Sequence, residues 1–158
     1  MAEYGAAPTG LKKWLVHAPS YLFRWRLGFV SGKRFVMIEH RGRKSQKPYT
    51  TVLEVAGRTD AGEYVVTSGR GPRADWYRNL QVNGIDAVWL GSKRHLADAR
   101  FLEAEESAGV FEAYEEAYPR TAAKLMATMD VSYDGTDDGR VEMMKLIPMV
   151  AFALSAER

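Results

Sequence analysis

The 158-residue sequence has no cysteine, only three histidines and no uncharged apolar run near the roughly 18 residues that a membrane-spanning helix needs. The missing thiols exclude a disulfide-stapled fold, a thiolate-held zinc or iron–sulfur centre and a cysteine nucleophile. Redox chemistry would therefore need a bound cofactor. His17, His40 and His95 match no metal-ligand spacing, so no metal site is expected. The opening Met1-Ala2-Glu3-Tyr4-Gly5 lacks the basic-then-apolar layout of a secretory signal, which points to a cytoplasmic protein.

With 46% hydrophobic and 27% charged residues, the composition is that of one globular domain with an appendage. The formal net charge of +2 conceals an asymmetry. Residues 1–100 hold 17 Lys/Arg against 8 Asp/Glu, and residues 101–158 hold 5 against 12. A basic front half calls for an anionic partner: a phosphorylated cofactor, a lipid headgroup or nucleic acid.

Apolar positions divide the chain into elements. Leu11, Trp14, Leu15 and Ala18, then Tyr21, Leu22 and Trp25 after Pro19, recur at helical spacing and predict a helical N-terminal extension over residues 1–32. Residues 33–158 read as one fold. Strands are predicted over Arg34–His40, Tyr49–Ala56, Tyr64–Ser68, Ile85–Leu90, Arg94–Glu103 and Met149–Leu154, with a short helix from an Asp75 cap through Asn83. An acidic helix carries Ala108, Phe111, Tyr114 and Tyr118 on one face, and a further segment opens at Pro119 with Ala122, Leu125, Met126 and Met129 in register. The stretch Asp134–Gly139 reads as a loop before a brief helix over Arg140–Leu146. Six strands with hairpin-length links predict an α+β, mostly antiparallel barrel with flanking helices. The lack of a Gly-x-Gly-x-x-Gly turn argues against a doubly wound dinucleotide fold.

Two loops carry the chemistry. Gly42-Arg43-Lys44-Ser45-Gln46-Lys47-Pro48-Tyr49 places three cations, a hydroxyl and free turn amides between two strands, donors suited to a phosphate; an ordinary solvated turn has the same composition. Ser68-Gly69-Arg70-Gly71-Pro72-Arg73-Ala74-Asp75-Trp76-Tyr77-Arg78-Asn79-Leu80 joins a strand end, a glycine loop and a helix start, where unpaired N–H groups and close backbone approach suit a flat or anionic ligand.

These residues carry a resemblance. Gly42-Arg43-Lys44-Ser45, the strand Thr50-Thr51-Val52-Leu53-Glu54-Val55 and the Asp75-Trp76-Tyr77-Arg78-Asn79 core of the second block resemble the deazaflavin-dependent nitroreductases, which use coenzyme F420. The resemblance implies a split β-barrel of the flavin-reductase type. It also implies reduced F420 bound in a groove, handing a hydride to a small-molecule acceptor such as a quinone, nitro compound or unsaturated lactone. By position it implies Arg43 and Lys44 at the cofactor's phosphate and nearby acidic groups, with Ser45 in the same loop. Tyr49 and Thr51 would line the ring or its linker, Arg70 or Arg73 would supply a loop cation, and Trp76, Tyr77 and Asn79 would close the site. Ser68 and Tyr77 are the implied catalytic pair. Gln46 and Tyr49 stand where that family has a glycine and an arginine.

His40, beside the basic loop, reads either as a proton donor or as a plain strand residue. The cationic, aromatic N-terminal stretch suits either peripheral membrane contact or packing on the barrel, and the Tyr114–Tyr118 helix is expected to shape the entrance. The resemblance also implies a homodimer, because related flavin-binding barrels often build sites at subunit interfaces. Rival readings are a fatty-acid or lipid carrier and an FMN-dependent oxidase of the same architecture. Nucleic-acid binding is the weakest, because no recognised motif accompanies the cations.

Overall fold

The computed structural model describes residues 35–155; the expected N-terminal helices and their membrane contact lie outside the described residues. The elements run β1 (Phe35–Arg41), β2 (Pro48–Arg58), β3 (Tyr64–Thr67), α1 (Asp75–Asn83), β4 (Ala87–Leu90), β5 (Lys93–His95), β6 (Ala97–Phe101), α2 (Ala104–Ala117), α3 (Pro119–Met129), α4 (Asp137–Leu146) and β7 (Met149–Leu154). All strand pairs are antiparallel in the order β5-β4-β1-β2-β3-β7-β6, a sheet nearly closed into a barrel.

Seven strands stand where the sequence predicts six. The predicted fifth strand divides at Leu96, which is 62% exposed. β5 pairs with β4, and β6 pairs with β7. Asparagine, glycine and proline do not mark the change, because the chain simply passes from one strand's neighbour to another's. On the other side β2 makes a similar transfer: it serves β1 along its first part and β3 along its last, with a register shift between Val55 and Gly57 that bends the strand.

Strand alternation divides the core. Val65, Met149 and Ala151 face Phe111, Tyr114, Ala122, Met143, Met144 and Ile147 from the helices. Val36, Ile38, Val66, Val88, Val150 and Phe152 face the other way and are closed by Tyr77 and Leu80 of α1. Because β7 is covered on both faces, it reads as the continuous apolar run Met149–Phe152.

Two helix starts differ from expectation. α4 begins at Asp137, inside the stretch read as a loop: Thr136 Oγ1 accepts from Gly139 N–H at 3.0 Å, and Asp137 and Asp138 put negative charge in the first turn. For α1 the cap position is Ala74, with no side-chain cap bond, so Asp75 is the first helical residue and not the cap. On α3 only Ala122 is buried, whereas Leu125, Met126 and Met129 pack half-buried against the helical side of the core.

Candidate active site

The turn joining β1 and β2 closes on itself through Gly42 N–H to Lys47 O and Gln46 N–H to Gly42 O, both at 2.9 Å. Gly42 is packed tightly here: a Cβ would collide with Ser45 Oγ and stand 3.0 Å from the Tyr49 ring. Gln46 adopts φ +58°, the left-handed region that glycine tolerates best. Its side-chain bonds, to Arg43 O at 3.5 Å and Asn83 Oδ1 at 3.4 Å, are too long to offset much of that strain. Gln46→Gly is expected to raise stability by about 0.5–1 kcal/mol. A lower midpoint in thermal melts would show instead that the glutamine side chain holds the turn.

α1 pins this turn with two asparagines one helical turn apart. Asn79 Oδ1 accepts from Arg43 N–H and from Arg43 Nη1, both at 3.0 Å, and Asn83 Nδ2 donates to Arg41 O at 3.1 Å and Gly42 O at 3.2 Å. Arg43 also pairs with Asp75 at 3.0 Å, which is where the carboxylate expected to cap α1 is used. The remaining Arg43 Nε is buried with no hydrogen-bond partner.

Between this turn and the start of α1 lies a cleft of about 550 Å³. It brings together Arg43, Lys44, Ser45, Tyr49, Thr51, Arg70, Trp76 and Asn79, with three cations against the single carboxylate of Asp75. Ser68, Arg73 and Tyr77 are not on its wall. The Ser68 hydroxyl is fully buried and donates to Gly71 O at 2.6 Å, because Gly71, at φ +70°, folds the loop back over the strand end. Arg73 points to solvent. Tyr77 is buried edge-on against Phe101 at 5.2 Å and Trp76 at 5.9 Å, and burial pushes its hydroxyl above the ordinary phenol range. Tyr114 and Tyr118 line other clefts, beside Glu54–Gly57 of β2, and do not border the basic one.

His40 belongs to the wall. It continues the inward face of Val36 and Ile38, and the same alternation in the sequence would have placed it there. Burial holds its imidazole below the ordinary value of 6.5, against the opposing pull of Asp86. The folded value is the lower one, so the unfolded chain takes up a proton first as pH falls. Stability present above pH 6.5 is lost as pH falls through the folded value. Between pH 7 and 5 the wild type should therefore lose stability more steeply than His40→Gln, as denaturant midpoints would show; equal slopes would contradict this. Asn83 and Thr50 are contributors that the sequence reading did not single out: Asn83 reads there only as a helix end.

Among the described residues there is no cluster of three or more metal-ligating side chains, and no helix is long and apolar enough to cross a membrane. No curated protein matches the sequence. Among solved structures the chain is similar to one described as a domain-swapped dimer, at 22% identity over 91% of this chain and all of that one, with a TM-score of 0.53. It is also similar to a pyridoxamine 5′-phosphate oxidase-related, FMN-binding protein from Nostoc punctiforme, at 12% identity over 92% of this chain and 82% of that one, with a TM-score of 0.50. A structure described as an F420-H2-dependent reductase aligns at 22% identity over 76% of this chain and 95% of that one, with a TM-score of 0.49. The first two likenesses show the split-barrel fold. The model of the F420H(2)-dependent quinone reductases matches residues 27–131, more than half of the sequence, and the chain therefore belongs to that family of F420-dependent reductases.

Proposed function

We propose that the cleft between the β1–β2 turn and α1 binds coenzyme F420 and that the enzyme reduces a quinone-type acceptor. The observation that carries this reading is the charge of the cleft, where Arg43, Lys44 and Arg70 converge against the single carboxylate of Asp75. The residues present fit a ligand bearing phosphate and carboxylates: one planar guanidinium, two further cations, and the Ser45 and Thr51 hydroxyls.

In this reading Arg43, Lys44 and Arg70 hold the anionic part, and Trp76 and Tyr49 border the flat part. Bound reduced, the cofactor supplies the hydride. The chain supplies orientation and a wall from which water is partly excluded. Ser68 and Tyr77 then act from behind the wall, one fixing the Gly69–Pro72 loop and the other seating α1 against Phe101. Residues 33–158 would form the cofactor domain and residues 1–32 its extension. A homodimer is included in the proposal, with light scattering at twice the chain mass as its check.

The test is a fluorescence titration of the purified protein with F420 and with FMN at low and high salt. Tight F420 binding that weakens with salt, and weaker FMN binding, support the reading. Preferential binding of FMN would replace it with the flavin-oxidase alternative, and copurified lipid with no response to F420 would favour a carrier.

A further inference from the structure

A chain of hydrogen bonds crosses the cleft wall from the basic turn to β2. Asn79 Oδ1 is taken by two Arg43 donors, which fixes the orientation of the amide and leaves Nδ2 facing His40. Asn79 Nδ2 lies 3.2 Å from His40 Nδ1, and His40 Nε2 lies 3.0 Å from Thr51 Oγ1. Nδ2 can only donate, so Nδ1 must accept and carries no hydrogen; the proton of the neutral ring then sits on Nε2. The ring is neutral at neutral pH because burial opposes its charge. Nε2–H therefore donates to Thr51 Oγ1.

That contact settles what Thr51 can offer. One of its two lone pairs receives the imidazole hydrogen, which leaves its own hydrogen and one lone pair for the remaining directions, of which the cleft is one. The imidazole is itself held. It is 3% exposed, and it stacks on Tyr49, its register partner across β1 and β2, with ring centroids 6.0 Å apart and planes 23° from parallel. With one of its two lone pairs already used by Nε2–H and its only hydrogen unspent, the hydroxyl is biased towards donating to a ligand.

We propose that His40 is a positioning residue that biases the Thr51 hydroxyl towards donating a hydrogen bond to the bound ligand and, through Asn79, couples that donor to the Arg43 turn. The wall at Thr51 therefore favours an acceptor atom, a carbonyl or phosphate oxygen, over an N–H or O–H group of the ligand at that point. This inference rests on the cleft being the F420 site. The imidazole touches no ligand itself; its effect reaches the ligand through Thr51.

Two measurements test it. The first uses nitrogen NMR of the unliganded wild-type protein labelled at histidine. His40 should show an unprotonated Nδ1 and a protonated Nε2 at neutral pH; the opposite tautomer, or a charged ring, overturns the proposal. The second is an F420 titration of Thr51→Val, His40→Phe, their double variant, His40→Gln and Arg43→Ala, each checked for folding by thermal melt. Thr51→Val should weaken binding about fivefold to tenfold, the effect of one lost hydrogen bond. His40→Phe keeps the stacking surface and leaves a Thr51 hydroxyl that can still rotate to donate, so it should weaken binding measurably but by no more than Thr51→Val. The double variant should bind no worse than Thr51→Val alone. His40→Gln, whose amide nitrogen reaches the Nε2 position, should stay within about threefold of wild type. Independent, multiplying effects of Thr51→Val and His40→Phe would refute the coupling while leaving the cleft assignment intact. Unchanged affinity in Arg43→Ala would instead refute the cleft assignment, and with it the role of Thr51.

Discussion

Arg43→Ala is expected to bind F420 about tenfold to a hundredfold more weakly than wild type, the equivalent of one charge-assisted hydrogen-bonded contact of about 1.5–3 kcal/mol. The side chain is placed for this. Only 22% exposed, it is held by Asn79 and Asp75 through Nη1, while Nε remains buried and unpaired. Partial burial makes each bond to an anion stronger than the same contact in open solvent. The variant also removes the Nη1 bond to Asn79, although the backbone N–H of residue 43 still reaches it, so the turn should keep its shape. The affinity loss should therefore come with a flatter dependence on salt, which a titration at two ionic strengths measures directly. A large loss of affinity with an unchanged salt slope would mean that Arg43 shapes the turn without meeting negative charge.

The second large effect concerns the scaffold. Phe111→Ala should lower stability by about 3–5 kcal/mol, the range for truncating a buried aromatic ring in a packed core. Phe111 is 2% exposed and lies in the cluster with Tyr114, Met143, Met144, Ile147 and Ala151, where α2, α4 and β7 meet. Met143, Met144 and Met149 share this cluster and are flexible enough to close part of the cavity, which places the expectation at the lower half of that range. Urea denaturation gives the value. A loss below about 1 kcal/mol would show that α2 is held mainly by its polar contacts, such as the Arg100–Glu106 pair at 2.8 Å, and not by packing.

Why part of this architecture was legible is visible in single elements. β1 and β7 declared themselves as apolar runs because both faces of each are covered, and the two loops between strands stood out by their glycines and cations. The divided strand was not legible. His95, Ala97, Ala99 and Phe101 are all half-buried while Arg94, Leu96, Asp98 and Arg100 are exposed, so the alternation continues unbroken across Leu96 even though the pairing partner changes. Period-two patterning records which face is inward and says nothing about which strand lies alongside.

The site divides in the same way. Arg43, Lys44 and Thr51 were legible because their chemistry is local to the turn and the strand that follows it. Asp75 was misread as a cap, since its partner Arg43 comes from 32 positions earlier in the chain. Ser68 was misplaced because a glycine at positive φ three residues later turns its hydroxyl into the protein, a consequence of loop geometry that residue type does not reveal. His40 shows the converse: an ordinary strand position becomes part of the site once register sets it against Tyr49 and helix packing brings Asn79 beneath it.

The most direct measurement is a crystal structure of the protein with F420 bound. The account predicts the phosphate within hydrogen-bond distance of Arg43, with Lys44 or Arg70 beside it and the ring system bordered by Trp76 and Tyr49. A cofactor seated instead along Glu54–Gly57 beneath Tyr114 and Tyr118, with the β1–β2 turn empty, would contradict it.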